Sequence, residues 1–97
     1  MQTQMNQVEW AQLNELVKQK SVEVEEKTVR LLELQPGFAE SQWCYKGHIG
    51  FVVHGAIEIE FENSTQLFQA GEVLLIPTAV GHKAKTNVKT TLFLVDG

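Results

Sequence analysis

Gly71-Glu72-Val73-Leu74-Leu75-Ile76-Pro77-Thr78-Ala79-Val80-Gly81-His82 is the stretch on which the fold turns. A glycine opens it and a short apolar run follows, which reads as a buried strand. Pro77 has no N–H to give a sheet ladder and stops that strand. The chain then loops to a histidine. A second stretch, Cys44-Tyr45-Lys46-Gly47-His48, sets a thiol and an imidazole four residues apart, just before another apolar run. Two soft or borderline donors from one segment and a third from a distant loop can close on a single metal ion.

Outward from these stretches the pattern is β. Val29, Leu31 or Leu32, and Leu34 lead to Pro36-Gly37, a turn signal. Phe51-Val52-Val53 is a short apolar strand, and Gly55-Ala56 marks a hairpin. Ile57, Ile59 and Phe61 alternate strictly with Glu58, Glu60 and Glu62, so one strand face is dry and the other wet. Asn63-Ser64 is another turn, and Thr91 to Val95 forms the last strand. Many short strands between turn signals predict an all-β sandwich or barrel, and the missing crossover helices argue against a parallel sheet. Ile57, Ile59, Phe61, Val73, Leu75, Phe93 and Val95 are the expected core. The N-terminal part is different. Trp10, Leu13, Leu16 and Val17 recur at helical spacing, which predicts a short helix or turn near 11–19, although Ser21 to Glu25 alternates like a strand. Polar residues 1–7 are expected to fray. With no repeat and no linker, residues 1–97 are expected to form one domain.

The chain has 97 residues, 43% hydrophobic and 21% charged, which is enough for a packed core. A net charge of −4, and Lys83, Lys85 and Lys89 spread out rather than massed, argue against a nucleic-acid surface. One cysteine allows no internal disulfide. Neither a signal peptide nor an apolar run of ~20 residues is present, so a reducing cytoplasm is expected and no membrane partner. There Cys44 would be free to act as a thiolate.

The two opening stretches resemble the motifs of the cupins, small double-stranded β-helix (jelly-roll) barrels of the conserved-barrel, RmlC-like type. The second cupin motif is Gly, five residues, Pro, any residue, Gly, two residues, His, three residues, Asn. Gly71, Pro77 and His82 fall in register with it, while Ala79 replaces the inner Gly and Thr86 the Asn. In the first motif Gly55 takes the closing Gly, His48 stands at the Glu position, and Gln42 and Cys44 take the places of the two histidines; Gly37 sits one residue too close. Ser41-Gln42-Trp43-Cys44-Tyr45-Lys46-Gly47-His48 is closer still to cupins with an Asp-His-Trp-Cys-x-Lys-Gly-His stretch, with Ser41 for the Asp and Gln42 for the His. The resemblance covers roughly residues 29–95. It implies a jelly-roll barrel, a metal held by Cys44, His48 and His82, and pairing into a homodimer through 8–16 or an outer strand face.

Cys44 alone would be an ordinary small buried residue. The registers of His48 and His82 favour ligation. Three protein ligands with one position open is the layout of a catalytic zinc site, and Cys with two His suits zinc, nickel or cobalt at least as well as iron, which prefers two His and a carboxylate. Gln42 is a poor donor and is expected instead to hydrogen-bond a water or a substrate beside the metal. His54 and Lys46 read as solvated, Trp43, Tyr45 and Phe51 as core packing, and the Glu58, Glu60, Glu62 row as a wet strand face. No Ser-His-Asp order, phosphate loop or dinucleotide fingerprint occurs, and no catalytic base can be named. The expected function is a metal-binding cupin acting on a small polar molecule; the alternative is a small-ligand-binding or sensing module without turnover.

Overall fold

The structure, a computed structural model, describes residues 4–96. After a single 3-10 turn, Met5–Gln7, the chain is built of strands: β1 Ala11–Asn14, β2 Val17–Val24, β3 Lys27–Leu34, β4 Phe38–Ala39, β5 His48–His54, β6 Ala56–Phe61, β7 Thr65–Gln69, β8 Val73–Ile76, β9 His82–Thr86 and β10 Thr90–Asp96. The expected fraying of residues 1–7 falls in part on 1–3, outside the described residues. Two antiparallel sheets face each other, in the orders β1-β2-β3-β10-β5-β8 and β4-β9-β6-β7. This is the all-β architecture anticipated from the turn spacing, in the jelly-roll form that the resemblance implied.

Of the short helix or turn expected near 11–19 the turn is present and the helix is not: the segment is a hairpin turning between Asn14 and Val17. Gln12 pairs with Lys18 and Ala11 with Gln19, and the Asn14 side chain caps the turn by accepting the Leu16 N–H at 2.8 Å. The helical spacing of Trp10, Leu13, Leu16 and Val17 straddles that turn, and only Val17 of the four is buried. Pairing to β3 decides the matter, since it satisfies a backbone that a short amphipathic helix could not bury.

Gly55 does not turn a hairpin. It carries the chain from β5 in one sheet to β6 in the other, at φ +84. A Cβ there would stand 2.3 Å from the Lys89 carbonyl oxygen, so only glycine fits.

The core lies between the sheets. Val52, Ile57, Ile59, Leu74, Ile76, Leu92, Leu94 and Phe68 are buried, with Phe61 partly buried against them. Each side chain so buried contributes about 1.5–3 kcal/mol. The expectation for β8 and β10 is off by one residue. Leu74, Ile76, Leu92 and Leu94 point inward, whereas Val73, Leu75 and Phe93 are exposed and Val95 is half-buried. The run Val73-Leu74-Leu75-Ile76 is apolar at every position, so alternation could not choose its inner face. The outer face of this sheet is itself apolar: Val73, Phe51 and Phe93 align across β8, β5 and β10, as do Leu75, Ile49 and Val95. Trp43, Tyr45 and Phe51, read as core packing, are likewise exposed.

Candidate metal centre

Two strand starts and one bridge residue bring the ligand set together. His48 opens β5 in the six-stranded sheet, and His82 opens β9 in the four-stranded one. Cys44 stands on the connection before β5, fastened to His82 by two backbone hydrogen bonds: Cys44 N–H to the His82 carbonyl at 2.8 Å, and His82 N–H to the Cys44 carbonyl at 2.9 Å. That bridge fixes thiol and imidazole on one wall. The donor atoms of Cys44, His48 and His82 lie within 4.8 Å of one another. The two rings meet edge to face, centroids 5.4 Å apart.

Both imidazoles are oriented from behind. His82 Nδ1 faces the Val80 carbonyl at 3.2 Å, and His48 Nδ1 faces Asp96 Oδ1 at 2.5 Å. A carbonyl only accepts, so Nδ1 of His82 carries the proton and Nε2 keeps its lone pair for a ligand. A carboxylate imposes the same tautomer on His48. Such outer partners are what a metal-binding histidine needs. Donors on a tetrahedral ion with bonds of about 2.0–2.3 Å lie roughly 3.3–3.6 Å apart. A set already within 4.8 Å reaches that spacing by small side-chain rotations, so these residues fit a divalent transition metal.

The cluster opens on a cavity of about 570 Å³ running into the barrel. Its deep wall is apolar, with Leu34, Ile57, Leu74 and Leu92; its outer wall is polar, with Gln19, Ser21, Thr28, Arg30, Glu40 and Asp96. Glu40 Oε1 accepts the Ala84 N–H at 2.9 Å, and Asp96 Oδ2 accepts from Arg30 Nε at 2.6 Å. Gly50 faces Leu94 across the sheet. A Cβ there would meet the Leu94 side chain at 2.5 Å and the Phe93 carbonyl oxygen at 2.6 Å, so glycine lets β5 and β10 pack this closely.

Gln42 is exposed on the bend that precedes Trp43 and is not part of the cavity wall. The alternation of the two-histidine motif requires an extended chain there, and the bend interrupts it. His54 is exposed: between Leu92 and Thr91 the β5 pairing slips by one residue, a bulge that removes the parity His54 would share with His48. Glu58 lies across from Lys85 and Glu60 from Lys83 on a wet face, and Lys46 reaches the cavity rim. Arg30 and Asp96 are the site residues that sequence reasoning missed.

No protein-family model matches the sequence, and no curated protein does. Solved structures do match. An RmlC-like cupin from Shewanella frigidimarina NCIMB 400 superposes with a TM-score of 0.83 at 16% identity, over 97% of this chain and 86% of that one. KdgF from Halomonas sp. gives 0.74 at 19% identity, over 94% and 89%. A cupin-2 domain containing protein, also from Shewanella frigidimarina NCIMB 400, gives 0.66 at 19% identity, over 80% and 78%. What these share with the present chain is its architecture, and on that ground the chain has the cupin fold, as a small jelly-roll barrel.

Proposed function

We propose that the protein binds one divalent transition metal (zinc, nickel, cobalt or iron) through Cys44, His48 and His82 and presents it to a small polar molecule in the barrel. The observation that carries this reading is the convergence of three donors from two sheets, with both histidines held at Nδ1 so that Nε2 keeps a free lone pair. Such an ion, when bound, supplies Lewis acidity at the cavity wall. The protein's part is to orient the donors, to exclude bulk water with the apolar deep wall, and to hold the ligand against the polar outer wall.

One observation favours the alternative of a binding or sensing module without turnover. Both oxygens of Asp96 are engaged, and Glu40 is held by the Ala84 N–H at Oε1, so the cavity carboxylates are fastened to the protein wall rather than poised singly as a base. Turnover against a metabolite panel separates the two readings.

Metal analysis of protein purified without an affinity tag tests the first claim. Cobalt-loaded protein should show a thiolate charge-transfer band that vanishes in Cys44→Ser, and metal affinity should rise with pH because the ligands must shed protons. Cobalt uptake without the band would remove Cys44 from the ligand set.

A homodimer is part of the same reading. Its support is the outer face of the six-stranded sheet, where Ile49, Phe51, Val53, Val73, Leu75 and Phe93 are exposed together. An apolar patch of this kind, uncovered on a small domain, favours a two-fold partner. Light scattering should return twice the 10.9 kDa chain mass, and Phe51→Glu should halve it. A wild-type protein of monomer mass across micromolar concentrations would refute the dimer.

A further inference from the structure

Arg30 is placed where a packed barrel would carry an apolar residue. On β3 it shares its inner face with Leu32 and Leu34, and it looks into the cavity across from Leu94. Its surroundings are polar by construction: Ser21 is its partner on β2, and Gln19, Thr28 and Asp96 complete the wall. Taking a guanidinium out of water is costly, and one acceptor rarely repays it.

The hydrogen bonds show what Arg30 has left to give. Nε donates to Asp96 Oδ2 at 2.6 Å, and Nη1 to Gln19 Oε1 at 3.4 Å. A guanidinium carries five N–H donors in a planar fork. Asp96 does not take that fork in the two-toothed way a carboxylate usually does, because its other oxygen is committed to His48 at 2.5 Å. Among the described residues nothing accepts from Nη2. The side chain is 21% exposed, on the cavity side of the sheet. Asp96 thus turns the guanidinium edge-on and leaves donors aimed at the cavity, while its second oxygen fixes the ring of a candidate metal ligand.

Net charge does not single out this site. Glu40 and Asp96 offset Arg30 and Lys46 around the wall. Geometry does: a braced, partly desolvated guanidinium with free donors is the usual recognition element for a planar anion.

We propose that Arg30 anchors the carboxylate of the small molecule that enters the barrel, and that Asp96 is the positioning residue joining this anchor to His48. The ligand class is therefore a small organic acid. The role of Asp96 toward the metal rests on the proposed metal site; the role of Arg30 does not.

Succinate and its neutral diamide serve as probes, followed by amide chemical shifts in metal-free and in zinc-loaded protein. Metal-free wild type should bind succinate at least tenfold more tightly than succinamide, with shifts around β2, β3 and β10. Arg30→Gln should remove that preference, and Arg30→Lys should restore part of it, since charge returns without the fork. Asp96→Asn should reduce the preference in metal-free protein without removing it, since the amide oxygen can still accept from Arg30 Nε, and should weaken zinc affinity by ~10–100-fold, the scale of a lost outer partner. Equal binding of diacid and diamide by wild type, no binding of either, or succinate binding indifferent to Arg30→Gln would each overturn the anchor. Zinc affinity unchanged in Asp96→Asn would overturn the positioning role. Should zinc fail to bind wild type while the metal-free preference tracks Arg30, the metal reading falls and the anchor stands. The wild-type probe comparison can still overturn the anchor even if a variant does not fold.

Discussion

The two ends of the barrel interior are built from the same strands and differ in kind. β5 contributes His48 at one end and Val52 at the other; β10 contributes Asp96 and Leu92; β3 contributes Arg30 and Leu34. At the apolar end Val52 and Ile57 have 0% and 1% of their surface exposed. The buried Thr86 and Thr90 close it, their hydroxyls 3.2 Å apart and sharing the Ala56 and Val88 carbonyls. At the polar end Arg30, Cys44, His48, His82 and Asp96 bring heteroatoms to the cavity wall, interleaved with Ile76 and Leu94. One end stabilises the fold and the other is free to bind, because alternation along a strand gives each inner position its own neighbourhood.

That division can be broken by mutation. Leu74→Ala should cost about 2–5 kcal/mol in denaturant unfolding, with metal stoichiometry per folded chain unchanged. Cys44→Ala should do the reverse, abolishing metal uptake while metal-free stability moves little. If metal-free Cys44→Ala loses as much stability as Leu74→Ala, the ends are not separate. A smaller effect sharpens the apolar side. Thr90→Val keeps the shape but removes a fully buried hydroxyl, and should cost about 1–3 kcal/mol without touching the metal; a neutral result would mean that the Ala56 and Val88 carbonyls do not depend on the Thr90 hydroxyl. Smaller again is Ala79→Gly in the loop before His82. Ala79 adopts φ +70 and donates its N–H to the Tyr45 carbonyl at 2.9 Å. Glycine relieves that left-handed strain and should add about 0.5–1 kcal/mol, read as a rise in Tm. Gln42→Ala, on the exposed bend, should fall within about 0.5 kcal/mol of wild type and leave metal uptake intact.

Much of this was legible in the chain. Turn residues and short apolar runs announce a barrel, and the spacing of Cys44, His48 and His82 survives into space because each sits at a strand end or loop whose length the fold preserves. The rest failed for definite reasons. Helical spacing at 10–17 was an accident of a hairpin turn falling between Leu13 and Val17. The parity of β8 and β10 was undecidable because both faces of the sheet are apolar. That error hid the second half of the site. With Phe93 and Val95 assigned inward, Asp96 points to solvent; with Leu92 and Leu94 inward, it faces the cavity. Arg30 shares a face with Leu32 and Leu34, so a charged residue in register with core leucines was the available signal.

The bridge between Cys44 and His82 has a mechanical consequence. Those two residues are zipped together by backbone and move as one piece with the four-stranded sheet, while His48 belongs to the other sheet. An ion held by all three would act as a rivet between two plates at the open rim of the barrel. Occupancy would then be felt as stiffness. Loading would raise the melting temperature in proportion to the logarithm of free metal over its dissociation constant, and would slow hydrogen exchange first at the rim and only later at Val52 and Ile57, whose packing never depended on it.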